Sequence, residues 1–248
     1  MDVLKVIGIF ALIHLMEVAF FILPHALNTL YLPMAYQDML DMGIAIVSKL
    51  MIIHFLFKWF ALPLSEKTPP KDFVFGLTLA FLALVGFRLV YDQTIAYAIQ
   101  SFVEYDAVNQ AINNALSNPV YGFLLVVIVS PIYEEIIYRG FLFQGIKEKY
   151  NATSAIAISA VLFSIMHFNL IQSTHALFLG ILLGYIYQQT ASLTVTCLVH
   201  MINNLMVLFF PFSVFEWANT QLALWIAPIL VLIGLAILIP SIKKMQNF

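Results

Sequence analysis

Charge is scarce in this chain. Only 10% of its 248 residues are Asp, Glu, Lys or Arg, against about 25% in an ordinary soluble domain. A water-exposed surface over most of the molecule is thereby excluded. The net charge of −2 says nothing about nucleic acid, and no basic patch is large enough to suggest such a partner. Cys197 is the single cysteine, so no internal disulfide can form and the redox compartment stays open. Placed in an apolar run, it reads as a small packing residue. No internal repeat, low-complexity tract or soluble domain interrupts the sequence, and neither G-x-S-x-G nor H-E-x-x-H occurs. What fills the chain is apolar: 62% hydrophobic residues and a mean hydropathy of +0.97. It is an integral membrane protein, read as one domain over residues 1–248.

Eight apolar segments are long enough, or nearly so, to cross a hydrocarbon core about 30 Å thick. They cover 3–23, 42–62, 73–91, 120–143, 152–168, 174–187, 193–210 and 222–240, the sixth being short. The fold class is therefore all-α, a polytopic membrane bundle of about eight transmembrane helices. Lys5 precedes the first run as in a signal sequence, but no small-x-small site follows, so that run reads as a retained helix. Pro24, Pro69, Pro70, Pro119 and Pro211 punctuate the joints. Lys5, Lys58, Lys67, Lys71, Arg139, Lys147, Lys149, Lys243 and Lys244 fall on the side shared by both termini; opposite them stands only Arg88, at the end of the third span. Both termini are expected in the cytoplasm. The connection 92–118 spaces Ile95, Ile99, Phe102, Val103, Ile112 and Leu116 as a helix lying in the interface would. Ala176, Gly180 and Gly184 recur every four residues, a stripe for close helix packing.

Against this background Ser130–Gly140, S-P-I-Y-E-E-I-I-Y-R-G, stands out. Ionisable groups inside a membrane are costly and mark function by default. Glu135 and Arg139 are four apart on one helical face, in the favourable order for an ion pair. Glu134 points about 100° away with no cation on its own helix. Pro131 has no N–H and is expected to orphan the Val127 carbonyl and kink the helix. Two more polar sets follow, F-S-I-M-H (Phe163–His167) and H-M-I-N-N (His200–Asn204). With a hairpin turn at Tyr150–Asn151, Glu134 and His167 both lie roughly 24 Å from the turn, at one level on neighbouring helices. His200 is only seven residues into its segment, which leaves its level open.

These groups suit amide hydrolysis. A carboxylate with few neutralising neighbours can serve as general base, and an imidazole can help it hold water. A second imidazole and a carboxamide can donate to the oxyanion of a tetrahedral intermediate. No serine–histidine arrangement stands out, and Cys197, one turn before His200, is buried among apolar neighbours, so a nucleophilic mechanism has little support. A zinc site of Glu134, His167 and His200 with water as fourth ligand is the competing chemistry. Metal-free catalysis is preferred, with zinc kept open.

In their order, E-E-x-x-x-R (Glu134, Glu135, Arg139), F-x-x-x-H (Phe163, His167) and H-x-x-x-N (His200, Asn204) resemble the CAAX protease and bacteriocin-processing (CPBP, or Abi) family, which includes the type II CAAX prenyl endopeptidases. The resemblance covers about residues 120–210. It implies an intramembrane endopeptidase in which Glu134 activates water with help from His167. His200 and Asn204 would stabilise the oxyanion, with Glu135–Arg139 a supporting pair. The family is often called metalloprotease, while a metal-free glutamate mechanism is also argued for it. The implied substrates are prenylated, membrane-associated or secreted peptides, and nothing in the chain marks prenyl recognition.

Two rival functions belong to other classes. His14 and Glu17 in the first span, with Lys49, His54 and Lys58 in the second, read as one intrahelical contact plus lysines reaching the interface. Read as a proton or ion path they suggest a transporter, although the matching repeats and broken helices of transporters are missing. A non-catalytic scaffold or bacteriocin-immunity protein would keep the same residues only as a packed polar network.

Overall fold

The computed structural model describes residues 1–22, 34–60, 72–100, 118–167, 169–209 and 221–247. Pro24, Lys67, Pro69, Pro70, Lys71 and Pro211 lie outside the described residues. Within them the chain is helical throughout, the solution lipid imposes because every backbone polar group must be satisfied inside its own segment. Eight helices follow in order: α1 (Val3–Glu17, continued by a π turn Val18–Ile22), α2 (Met34–Phe60), α3 (Phe73–Tyr91), a composite α4 over 119–149, α5 (Ala152–Ile165), α6 (Leu170–Thr190), α7 (Leu193–Phe209) and α8 (Gln221–Met245).

Several boundaries follow from short polar side chains that cap free N–H groups. Asp2 accepts from the Lys5 amide at 2.9 Å, Asn151 from Ser154 at 2.8 Å and Asn169 from Gln172 at 2.8 Å. Helix α6 ends at Ala191, the one non-glycine residue at positive φ (49°) among the described residues, whose N–H bonds the Tyr187 carbonyl.

Five helical spans among the described residues are long and apolar enough to cross a membrane: Val3–Phe20, Met39–Trp59, Phe73–Ile99, Leu170–Thr190 and Trp225–Met245. Helices α5 and α7 are apolar but shorter. The lengths thus depart from the sequence pattern. The sixth segment is not the short one, because Asn169 starts α6 early; the fifth is, because its helix stops at Ile165 before His167.

The third span also differs. It runs past Tyr91 through a π stretch, Asp92–Ala96, into Tyr97–Gln100, so Ile95 and Ile99 continue a spanning helix instead of opening an interfacial one. The rest of the expected interfacial helix, Phe102, Val103, Ile112 and Leu116, lies outside the described residues. Arg88 is accordingly inside a span, not in a loop. Its Nε donates to Asp92 Oδ2 at 3.0 Å, an i, i+4 pair that lets the cation stay buried.

Small residues set two close crossings. A Cβ built on Gly86 would stand 2.7 Å from the Gly234 carbonyl oxygen and 2.7 Å from the Leu238 nitrogen, so α3 and α8 meet backbone to backbone. A Cβ on Gly180 would stand 3.1 Å from the Ala160 Cα and 3.2 Å from Phe163 Cδ1, which brings α6 against α5. In α1, His14 Nδ1 and Glu17 Oε2 are in contact at 2.5 Å, and Lys49 of α2 places its ammonium 4.2 Å from the Tyr133 ring centroid.

Candidate active site

Helix α4 is the carrier of the acidic pair, and it is not a plain α-helix. Two π stretches, Phe123–Val129 and Ile136–Phe143, flank the α-helical Ser130–Glu135. Such wide turns commonly accompany functional positions. They also shift which carbonyl proline leaves free. The Ser130 N–H bonds the Leu125 carbonyl, five residues back. In that register Pro131 faces Val126, and the Val126 carbonyl takes its hydrogen from Asn204 Nδ2 instead, at 3.0 Å. The expected orphan was Val127, one position along. The π register is the reason for the difference, and it ties α7 to α4 at the site.

Glu135 and Arg139 are both fully buried, with Arg139 Nη1 donating to Glu135 Oε1 at 2.9 Å. Arg139 Nη2 donates to the Gly180 carbonyl at 3.1 Å, and its guanidinium stands 5.2 Å from the Phe163 ring centroid. One side chain thereby touches α5 and α6 from α4. The same Glu135 Oε1 accepts from His200 Nδ1 at 2.9 Å, which brings in α7. With Nδ1 engaged, His200 turns Nε2 toward Glu134, 3.7 Å from Oε2. The pair is therefore more than a charge balance on one helix, because it orients the imidazole that faces the other carboxylate.

His167 sits in the turn after α5. Its Nδ1–H donates to the Phe163 carbonyl at 2.9 Å, since a carbonyl can only accept, and Nε2 is left as the acceptor end of the neutral ring. Ser164 Oγ donates to the Ser173 carbonyl at 2.7 Å, fastening this turn to the first turn of α6. The Phe163 ring lies edge-on to both imidazoles, with centroids 4.8 Å from His167 and 5.6 Å from His200.

Glu134, His167, His200 and Asn204 all line one cavity of about 290 Å³. The α4–α5 turn falls at Tyr150–Asn151, which is why Glu134 and His167 reach a common level. Straight helices of the expected length leave the level of His200 undecided; its contacts with both carboxylates place it with them. Glu134 keeps about a quarter of its side chain exposed, toward this cavity, whereas Glu135 has none. The two adjacent acids thus occupy different environments on one helix.

Two polar residues of the cavity wall were not singled out from sequence. His175 on α6 belongs to no recognisable spacing, and its location in a membrane-spanning segment was the available signal. Asn203 adjoins Asn204 within H-M-I-N-N and donates from Nδ2 to Asn204 Oδ1 at 3.2 Å. Among the described residues, no three His, Cys, Asp or Glu side chains stand close enough together to hold a metal ion. Glu134, His167 and His200 share the cavity without forming such a cluster, and the chemistry below routes no step through a metal.

Residues 116–206 match the family model described as type II CAAX prenyl endopeptidase Rce1-like. The protein named "Putative membrane peptidase YdiL" of Bacillus subtilis (strain 168) is 30% identical over 142 residues, 55% of this chain and 57% of that protein. The match thus spans little more than half the length of this relative. No solved structure matches the chain. The matched segment contains the acidic pair, both histidines and Asn204 in the order in which the cavity assembles them, and over that segment the chain is similar to the Rce1-like family.

Proposed function

We propose that this protein is an intramembrane endopeptidase that hydrolyses a peptide bond with water activated by Glu134 and His167. The observation that carries the reading is the convergence of Glu134, His167, His200 and Asn204, from three separate parts of the fold, on one cavity. The family match and the relative named as a membrane peptidase support it.

Water held between the Glu134 carboxylate and His167 Nε2 gives one proton to Glu134 as its oxygen attacks the carbonyl carbon. The resulting oxyanion accepts from Asn204 Nδ2, which has a second hydrogen beyond the one given to Val126. It also accepts from His200 Nε2, the ring nitrogen that faces Glu134, when that nitrogen carries hydrogen. Collapse breaks the C–N bond, and the proton on Glu134 passes to the leaving amine. Glu135 and Arg139 touch no reacting atom and act by positioning His200. No metal is required in this mechanism. The substrate is a peptide or protein segment presented at the bilayer. The lysine distribution supports a cytoplasmic location for both termini, and the similarity to a Bacillus subtilis protein supports a bacterial cell membrane as the setting.

The test assumes no substrate. Wild type and Glu134→Gln are expressed at matched levels in host cells, and new peptide termini are compared by mass spectrometry. Termini that depend on Glu134 are expected. If two folded, membrane-inserted proteins give the same termini, the peptidase reading falls and a non-catalytic polar network takes its place.

A further inference from the structure

Two polar atoms in the cavity wall are used by none of these steps. Asn203 is 1% exposed, and a directional chain fixes its amide. Its Nδ2 donates to Asn204 Oδ1, and Asn204 Nδ2 donates to the Val126 carbonyl, which can only accept. Asn203 Oδ1 is left as a buried acceptor with no donor among the described residues. His175 is the second case. Its ring stands edge-on to Tyr91, centroids 5.2 Å apart, and 6.0 Å from Phe87, while its Nε2 is buried with no partner among the described residues. Unpaired buried polar atoms destabilise a fold, and leucine at 203 or phenylalanine at 175 would fill the same space without that cost. Both side chains line the cavity that holds Glu134.

The cavity's size narrows what they could meet. A sphere of about 290 Å³ is about 8 Å across, room for roughly two residues of extended chain. Such a segment brings one N–H and one C=O per residue, and each must find a partner once it leaves water. Much of the remaining wall is apolar, including Ile171, Leu179, Val207 and Leu208.

We propose that Asn203 and His175 form a main-chain clamp, in which Asn203 Oδ1 accepts a substrate N–H and His175 Nε2–H donates to a substrate carbonyl. The ligand class is the backbone of an extended peptide next to the scissile bond, so the clamp deepens the peptidase reading and rests on it. Both are positioning residues and neither touches the bond that breaks. Recognition through the backbone makes the cavity tolerant of sequence, with the apolar wall favouring small or apolar side chains.

The probe is a blocked dipeptide, N-acetyl-alanyl-alanine methylamide, titrated into the full chain in nanodiscs and followed by the histidine ring resonances. Ester analogues replace one amide at a time and remove one N–H without adding bulk. Wild type is expected to bind saturably, with one ester position weakening binding about fivefold, the size of one net neutral hydrogen bond. That penalty should vanish in Asn203→Leu and persist in His175→Phe, which itself binds the parent probe about fivefold more weakly. Because the ester comparison is internal to each protein, a general loss of packing cannot mimic it. If Asn203→Leu does not fold, Asn203→Asp keeps shape and acceptor and should retain the penalty. No saturable binding by wild type, or an ester penalty unchanged in Asn203→Leu, overturns the clamp. Intact binding without Glu134-dependent termini would instead sink the peptidase reading alone.

Discussion

Arg139→Met tests the idea that a single buried cation organises the site. The substitution keeps much of the side-chain volume but takes from Glu135, which is fully buried, its guanidinium partner, leaving His200 Nδ1 at 2.9 Å and the Thr196 hydroxyl beside it. It also frees the Gly180 carbonyl on α6. Removing one partner of a buried ion pair typically costs about 3–5 kcal/mol, most of it the stranded charge. Adding Glu135→Gln removes that charge while keeping an oxygen to accept from His200. The double variant should therefore sit within about 1–2 kcal/mol of wild type, a recovery of about 2–3 kcal/mol relative to Arg139→Met alone. The assay is unfolding in mixed micelles, followed by far-ultraviolet circular dichroism for wild type, both single variants and the double variant. Strictly additive losses would refute the reasoning, because Arg139 would then matter for its packing against Phe163 and not for neutralising Glu135.

Asn204→Leu should lower kcat about 10²-fold or more by removing an oxyanion donor, and should destabilise by about 1–3 kcal/mol by orphaning the Val126 carbonyl. Pro131→Ala supplies an N–H opposite that carbonyl, so in its background the stability loss should shrink while the activity loss stays, as unfolding and turnover measured side by side would reveal. Gly180→Ala should destabilise by about 1–3 kcal/mol, since its Cβ meets Ala160 at 3.1 Å, whereas Gly184→Ala meets Ile156 at an ordinary 3.4 Å and should be tolerated in the same unfolding assay. Chelators should leave turnover of a peptide identified from the Glu134-dependent termini unchanged; inhibition reversed by zinc alone would overturn the metal-free mechanism. Asp2 lies outside the spans, and its carboxyl is held below its ordinary value of 3.8 by the Lys5 amide and then by Lys149. Its cap on α1 is thus fully present above that value and lost as pH falls through the lowered one. Asp2→Ala should speed exchange of the Lys5 amide at neutral pH and make no difference in strong acid.

The all-helical membrane character was decided by the sequence, because a chain with so little charge has few other ways to satisfy its backbone in lipid. The i, i+4 relation of Glu135 and Arg139 and the common level of Glu134 and His167 were also legible, since both follow from helical rise and a turn marked by Asn151. Tertiary structure decided the rest. No periodicity announces that α4 passes through two π stretches, and that register is what hands the Val126 carbonyl to Asn204. Where α7 lies against α4 depends on packing between distant segments, so the grip of Glu135 on His200 could not be counted out along one helix. His175 and Asn203 carry no motif of their own. They became visible only as polar atoms left without partners among the described residues, in a wall where, on energetic grounds, apolar groups would do as well.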